Sequence, residues 1–272
     1  MQRRTATAIL SAAALVCACA RHAGEALTLS GSTSLQPLAE KWVEEYGAKH
    51  PRLSLAVQGG GSTAGIQAAI SGAAQIGLVS REPTAGERDR MSYLSVARDG
   101  IALVVHPSNV VNDLTLNEVR DLYSGRAATW HRGGSSDPAV TLITREEGSG
   151  TRAAFETLVM RGARIAAGAL VQDSTEAVRQ MVASDPAAIG YLSVGLVDGS
   201  VKALRLNGVA ATEQNIEQAV YPLTRPFLFA LRGRPDAETQ RFIDWVRGPE
   251  GAAITRRAGF LPVASEVLRA KP

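Results

Sequence analysis

The sequence predicts an α/β protein made of two lobes. Short apolar strands alternate with amphipathic helices in a β-α-β-α-β order over residues 27–79, and this order implies a mainly parallel sheet. The apolar segment 100–106 then leads into a second α/β region, and the segment 221–226 leads back toward a final strand. The chain has 272 residues, of which 45% are hydrophobic and 20% charged, a composition typical of soluble globular proteins. We therefore expect one discontinuous domain and one inserted domain.

The individual elements follow from the spacing of apolar residues and from the residues that interrupt it. Strands are predicted where short apolar or alternating runs end at turn residues: 27–30, 53–57, 76–79, 100–106, 140–144, 188–192, 201–206 and 227–231. Helices are predicted where apolar residues recur every three or four positions: 35–46, 66–70, 114–123, 153–160, 174–184, 212–219, 236–247 and 249–258. A polar, Gly-rich loop is expected over 130–138. Thr115 and Glu118 have the spacing of a helix capping box.

These elements divide the chain into a leader and two lobes. We expect a leader over residues 1–26, lobe I over 27–105 together with 222–272, and lobe II over 106–221. Two lobes joined by two crossings of the chain define a cleft, and ligands of α/β proteins favour clefts between domains.

The first 26 residues are typical of an export signal. Arg3 and Arg4 precede an apolar stretch over 8–18, and small residues that suit cleavage follow. The stretch is too short to span a membrane. Both cysteines, Cys17 and Cys19, lie here, and the residues around Cys19 loosely resemble a bacterial lipoprotein box. We expect export across the membrane, either as a soluble protein or as a protein anchored by a lipid on Cys19.

Charge gives little support for a nucleic-acid partner. The whole chain carries 29 basic and 26 acidic residues. The leader accounts for three of the arginines and one glutamate, which leaves 26 basic and 25 acidic residues in the body. Because the net charge of the body is close to zero, we expect no nucleic-acid partner.

Three turns rich in glycine and hydroxyl residues each connect a predicted strand to a predicted helix. They lie at 31–34, 61–63 and 148–151, and Arg145 precedes the third. The first N–H groups of a helix lack partners within it, and the helix dipole makes that end partly positive. Small residues let an anion approach these groups, and the hydroxyls add donors. Together the turns predict an oxyanion site in the cleft, although three unrelated capped helices are the alternative.

The sequence supports an enzymatic function less well than it supports oxyanion binding. None of the lysines lies in a Gly-rich turn as a P-loop requires, and the histidines of the body lack metal-ligand spacing. Ser149 lacks the frame of a nucleophile elbow, and no base is apparent near it. We expect no catalytic residue, no metal and no cofactor.

Motifs along most of the body strengthen the oxyanion hypothesis. In chain order they are GSTSLQPLAE, GGGSTAGIQA, IGLVSRE, LTLNEVRDLYSGRAATW, REEGSGTR, AIGYLSV, YPLTRPFL and PEGAAITRRAGFLPV. Their order and content resemble the shorter periplasmic phosphate-binding proteins of bacterial ABC phosphate importers. The resemblance implies a type II periplasmic binding fold, α/β and two-lobed, that closes on inorganic phosphate.

The resemblance also implies the ligand-binding residues. Those that match the family's phosphate-binding positions are Thr33, Ser34, Leu35, Ser62, Ser80, Arg145, Ser149, Gly150 and Thr151, and Arg81 next to Ser80 is a further candidate. The best-known members carry Asp at the position of Ser80, which makes selectivity for phosphate over sulfate less secure than oxyanion binding itself. Arg81 either adds a second cation to the anion or pairs with Glu82 or another surface acid.

The resulting hypothesis is a monomeric, non-enzymatic binding protein that delivers phosphate to an ABC permease in the inner membrane. A binding protein for another tetrahedral oxyanion, such as sulfate or molybdate, is the alternative within the same class. A phosphate sensor or adhesin without a transport role is an alternative from another class, and a phosphate-ester hydrolase is a more distant one.

Overall fold

The computed structural model describes residues 26–130 and 139–263. The leader with Cys17 and Cys19 lies outside the described residues, apart from Ala26, and so does most of the predicted polar loop, at residues 131–138. The predictions for these segments are therefore not addressed by the structure.

The described residues form strands and helices in close alternation. The strands are β1 (Ala26–Gly31), β2 (Ser54–Gln58), β3 (Ile76–Val79), β4 (Ser92–Val105), β5 (Asp113–Leu114), β6 (Thr141–Arg145), β7 (Leu170–Gln172), β8 (Ala188–Ser193), β9 (Lys202–Ala203), β10 (Arg205–Leu206), β11 (Thr224–Leu231) and β12 (Leu261–Pro262). The helices are α1 (Gln36–Lys49), α2 (Ser62–Ser71), α3 (Ala85–Arg88), α4 (Leu116–Tyr123), α5 (Gly150–Phe155), α6 (Thr175–Ser184), α7 (Glu213–Glu217), α8 (Ala237–Arg247) and α9 (Pro249–Arg257). A π-helical turn, Glu156–Met160, extends α5.

One sheet runs through both lobes in the order β2-β1-β3-β11-β4-β8-β6-β7. On the lobe I side, β1 pairs in parallel with β2 and β3, and the antiparallel strand β11 follows. On the lobe II side, β6 pairs in parallel with β7 and β8, and the antiparallel second half of β4 follows. Each lobe thus has three parallel strands with an antiparallel strand beside them. β11 reaches lobe I after the chain has passed through lobe II, whereas β4 precedes the parallel strands of lobe II. This is the two-lobed α/β architecture that the sequence predicts.

Strand β4 carries the chain from one lobe to the other. Residues before Ile101 pair with β11, the last of these pairs being Thr224 with Gly100, whereas the pairing with β8 begins at Ile101 and Ser193. The two halves of β4 therefore belong to different halves of the sheet, and the bounds of the lobes stay a prediction. On the return, Tyr221 and Leu223 pack in the lobe II core.

Each lobe has an apolar cluster on either face of the sheet, and in both lobes one of the two clusters is rich in aromatic residues. In lobe I, Trp42 of α1 packs edge-to-face on Phe229 of β11, with ring centroids 5.8 Å apart. In lobe II, Phe155 stacks on Tyr191 of β8 with centroids 4.1 Å apart, and Tyr123 of α4 packs against both. Burial of these aromatic side chains contributes to the stability of each lobe. It also fixes α5 on the sheet next to the end of β6.

Several elements differ from the sequence prediction. The first half of β4 was not predicted, because its run SYLSVARD mixes exposed polar residues with buried apolar ones. β7 was missed because it is a short edge strand with two of its three residues exposed. The predicted strand over 201–206 is divided into β9 and β10, which pair with different partners. The capping box of α4, by contrast, is confirmed.

Candidate functional site

Helices α1, α2, α5 and α6 all begin at the edge of the sheet where β1, β2, β3, β6 and β7 end. The carboxyl ends of parallel strands are where α/β proteins place their ligand sites. The predicted turns precede α1, α2 and α5. The turn before α6 was not predicted as part of the site, because it contains Ser174 and Thr175 but no glycine.

The first group of hydroxyls comes entirely from lobe I. The Ser32 hydroxyl donates to Ser80 Oγ at 2.8 Å, and Ser62 Oγ lies 3.3 Å from Ser80 Oγ. The Ser80 N–H donates to Ser62 Oγ at 3.1 Å. All three side chains are buried. We call Ser32, Ser62 and Ser80 the lobe I group.

The second group joins the two lobes. Ser34 Oγ lies 2.8 Å from Thr151 Oγ1 and 3.0 Å from Thr175 Oγ1. Ser34 belongs to lobe I, whereas the two threonines lie in the first turns of α5 and α6 in lobe II. All three are buried. We call Ser34, Thr151 and Thr175 the interlobe group.

Arg145 supports the interlobe group from the end of β6. Its Nη1 donates to Thr175 Oγ1 at 3.1 Å, and its other nitrogens donate to the carbonyls of Gln172 and Asp173. Its guanidinium also forms an ion pair with Glu146, at 2.9 and 3.0 Å. The charge of Arg145 is therefore balanced within the turn although its side chain is only 2% exposed.

The lobe I group and the interlobe group together form one cluster of hydroxyls. N–H donors around this cluster determine where most of the hydroxyl protons can point. In the four turns, seven hydroxyls accept a hydrogen bond from an N–H group: Ser32, Thr33, Ser62, Ser149, Thr151, Ser174 and Thr175. A hydroxyl that accepts from an N–H still has its own proton to donate. The cluster is therefore an array of O–H donors, and such an array suits an anion.

Two glycines let the lobes approach each other. A Cβ built on Gly150 would lie 2.2 Å from Ser62 Oγ and 2.5 Å from Ser80 Oγ, so any side chain here would collide with the lobe I group. Gly61 has a φ of +88°, and its Cβ would lie 2.9 Å from the Gly148 carbonyl. The Thr63 N–H donates to that same carbonyl at 3.1 Å. The glycines of the predicted turns thus make close contact between lobes possible.

The remaining predicted residues occupy the rim of the cluster. Thr33 Oγ1 accepts from the Thr175 N–H at 3.3 Å. Leu35 is the N-cap of α1, and its N–H donates to the Ser32 carbonyl at 3.1 Å. Ser149 caps α5 by accepting from the Arg152 N–H at 3.3 Å. The backbone positions of these residues are close to the cluster, and their roles in binding stay predictions.

Arg81 is the predicted site residue that the structure places with another partner. Its Nη1 and Nη2 donate to the two carboxylate oxygens of Glu87, each at 2.7 Å, and Nη1 also donates to the Glu82 carbonyl. Hydrogen bonds from Arg81 lower the pKa of Glu87 to about 2. The geometry corresponds to the alternative in which Arg81 pairs with an acid, which is Glu87 and not the Glu82 side chain.

Arg225 was not predicted as a site residue, although it lies in the YPLTRPFL motif. Its Nη1 donates to Thr151 Oγ1 at 2.8 Å and to the Ser80 carbonyl at 3.2 Å. It forms a fully buried ion pair with Asp99. Sequence could not reveal this contact, because Arg225 lies 74 residues from Thr151 along the chain.

Comparison with known proteins agrees with this architecture. The family model of the PBP superfamily domain matches residues 18–250. Phosphate-binding protein PstS of Bacillus subtilis (strain 168) is 31% identical over 246 residues, which cover 89% of this chain and 82% of the relative. The chain belongs to the PBP superfamily and is a PstS-like member of it.

Solved structures give the same assignment. A candidate phosphate ABC transporter substrate-binding protein with bound phosphate, from Clostridium perfringens, is 34% identical with a TM-score of 0.84, and the match covers 88% of this chain and 100% of that one. An ABC-type phosphate transport receptor from Vibrio cholerae is 34% identical with a TM-score of 0.73, and the match covers 87% and 100% of the two chains. These similarities confirm the two-lobed periplasmic binding fold.

Proposed function

We propose that this PstS-like protein binds inorganic phosphate between its lobes and delivers it to the permease of an ABC importer. The observation that carries the proposal is the buried hydroxyl cluster, to which both lobes contribute donors. The similar proteins are a phosphate-binding protein and phosphate-transport receptors, which supports the same ligand.

The electrostatics of the cluster suit a small anion. Arg145 is paired with Glu146 and Arg225 with Asp99, so the charged groups next to the hydroxyls are balanced. An anion entering here exchanges hydroxyl–hydroxyl bonds for hydrogen bonds to a charged acceptor, which contribute about 1.5–3 kcal/mol each. Fixed donors and helix dipoles then stabilise the bound charge.

We propose Thr33, Ser34, Leu35, Ser62, Ser80, Arg145, Ser149, Gly150 and Thr151 as the ligand-binding residues, and we add Ser32 and Thr175. The position of Ser80 decides selectivity. A serine hydroxyl can accept the proton of a protonated phosphate, but it does not repel sulfate as a carboxylate would. We therefore expect phosphate to be preferred over sulfate by a smaller margin than a carboxylate at this position would give.

The proposal also covers the oligomeric state of the protein and its location in the cell. We propose a non-enzymatic, monomeric protein that is exported through its leader and acts in the periplasm, free or anchored at Cys19. Among the described residues, no helix has both the length and the apolar character that a membrane span requires.

Calorimetric titration of the purified protein with phosphate and with sulfate tests the function. We expect saturable phosphate binding with one site per chain, and weaker sulfate binding. Thr151→Val, which removes one donor of the interlobe group, should weaken phosphate binding. The control Thr157→Val changes an exposed threonine whose hydroxyl donates to the Ala153 carbonyl and should bind like the wild type. Absence of phosphate binding, or tighter binding of sulfate, would overturn the proposal.

A further inference from the structure

Asp99 and Arg225 face each other where the chain crosses between lobes. They are directly opposed on β4 and β11, one pair before the last β4–β11 pair, Thr224 with Gly100. β4 passes into the lobe II sheet immediately afterwards, at Ile101. Both side chains are at most 1% exposed. The ion pair is thus buried at the junction of the lobes.

The pair makes contact with both lobes. Arg225 Nε and Nη2 lie 2.9 and 2.8 Å from Asp99 Oδ2. Nη1 donates to the Ser80 carbonyl in lobe I and to Thr151 Oγ1 in lobe II. Asp99 Oδ1 accepts from the hydroxyl of Ser193 at the end of β8, at 2.8 Å.

Stability alone is a weak reason for such a pair. Burial raises the pKa of Asp99 and lowers the pKa of Arg225, because both charged forms have lost their hydration. Attraction between buried partners often only balances this loss, and apolar replacements are frequently as stable. The contacts that an apolar pair could not supply are those to Ser80 and Thr151.

We propose that Arg225, held by Asp99, is a positioning residue of the phosphate site. Its Nη1 proton occupies an acceptor position of Thr151 Oγ1, so the Thr151 hydroxyl has to direct its own proton to another acceptor, such as the bound anion. The fork of the guanidinium allows this bond and the Asp99 pair to be made at once, which a lysine ammonium at the same place could not reproduce. The inference rests on the proposed function.

The Asp99–Arg225 ion pair would also help to hold the two lobes together when the cleft is closed. Ser193 and Thr151 belong to lobe II, while Ser80 belongs to lobe I, and the bonds from the ion pair join them at the crossing strands. When the Arg225–Thr151 bond forms, the anion-binding turn before α5 is fixed relative to lobe I.

A double-mutant cycle tests the positioning role against a purely structural one. The variants are Arg225→Lys, Thr151→Val and their combination, with phosphate affinity measured by calorimetry. Arg225→Lys keeps a charged partner for Asp99, and we expect phosphate affinity to fall about tenfold. Because Arg225 acts through Thr151, the combined variant should bind no more than about twofold more weakly than Thr151→Val alone.

If Arg225→Lys does not fold, a second variant tests the same role. Asp99→Asn combined with Arg225→Gln removes both buried charges at once, so neither is left without a partner. It should show the same non-additivity with Thr151→Val. The control Arg98→Gln changes the exposed neighbour of Asp99 on β4 and should leave affinity unchanged.

The outcomes distinguish failure of the positioning role of Arg225 from failure of the proposed phosphate-binding function. Losses that add in full, or an Arg225→Lys protein that is less stable to heat yet binds phosphate normally, would overturn the positioning role while leaving the proposed function intact. A wild-type protein that does not bind phosphate would overturn both.

Discussion

The lobe I group and the interlobe group of hydroxyls are built in different ways. Ser32, Ser62 and Ser80 are held together by bonds within one lobe, and they include a backbone donor, the Ser80 N–H. The interlobe group depends on contacts between lobes, and an arginine donates to each of its two threonines. The fold of lobe I alone therefore forms one half of the site, whereas closure of the cleft assembles the other.

This difference predicts where ligand binding is most sensitive to mutation. A change in the lobe I group removes one neutral donor from a preformed surface. A change in the interlobe group or its arginines also removes a bond that holds the lobes together, so closure and ligand contact are lost at once. We therefore expect the largest losses of phosphate affinity in the interlobe group and its arginines, and smaller losses in the lobe I group.

Removal of the Arg145 side chain should have the largest effect. Arg145→Ala deletes the donor to Thr175 and leaves the Glu146 carboxylate without its ion-pair partner beside the anion. We expect phosphate affinity to fall by about 100-fold or more, measured by calorimetry. The control Arg126→Ala removes an exposed arginine that pairs with Asp121. Near-normal affinity of Arg145→Ala would contradict the arrangement.

A side chain at Gly150 should prevent the lobes from closing fully. The new Cβ would collide with the hydroxyls of Ser62 and Ser80, so Gly150→Ala should weaken phosphate binding about tenfold or more. Small-angle X-ray scattering should show less compaction with phosphate than in the wild type. Gly168→Ala is the matched control, because its Cβ would enter open space. If both variants close alike, the close approach at Gly150 has no functional importance.

Loss of a single lobe I hydroxyl should have a moderate effect. In Ser32→Ala the Ser80 hydroxyl loses one donor but keeps its contact with Ser62. We expect about a three- to tenfold loss of phosphate affinity, corresponding to one neutral hydrogen bond. A loss as large as that of Arg145→Ala would show that the two groups are not different in the way described.

Glu87→Gln should affect stability and not binding. The pKa of Glu87 is lowered to about 2, chiefly by hydrogen bonds from Arg81, so its contribution is present above its ordinary pKa near 4.5 and is lost as the pH falls toward 2. At pH 6 the variant should be less stable than the wild type by about 1 kcal/mol in urea unfolding. That gap should narrow at pH 3.

The same variant and Arg81→Gln address the role of Arg81. If Arg81 serves only to pair with Glu87, phosphate affinity stays the same in both variants. A clear loss of affinity in Arg81→Gln would instead favour direct contact between Arg81 and the anion. A gap in stability between wild type and Glu87→Gln that is the same at pH 6 and pH 3 would contradict the ion pair.

Much of the fold was predictable because it depends on local patterns. Apolar periodicity indicated the parallel strands and the helices after them, and the capping box at Thr115 fixed the start of α4. The first half of β4 was not predictable in this way, because its partner β11 lies more than a hundred residues away and its own residues are mixed in polarity. Pairing over such distances is decided by the tertiary fold.

The site was predictable where one turn carries its own donors. Ser62 and Thr151 lie in turns whose glycine and hydroxyl content is visible in the sequence. Thr175 and Arg225 were missed because their importance comes from contacts with residues from distant segments, Ser34 and Thr151. For Arg81 the sequence left two alternatives open, and the choice between them depends on where the short helix α3 places Glu87.

A crystal structure of the protein with phosphate would show whether the lobe I group and the interlobe group bind the same ion. We predict that phosphate oxygens lie within hydrogen-bond distance of Ser34, Thr151 and a hydroxyl of the lobe I group, with both lobes in contact with the ion. Phosphate bound on one lobe alone, or at a place away from the hydroxyl cluster, would contradict the account.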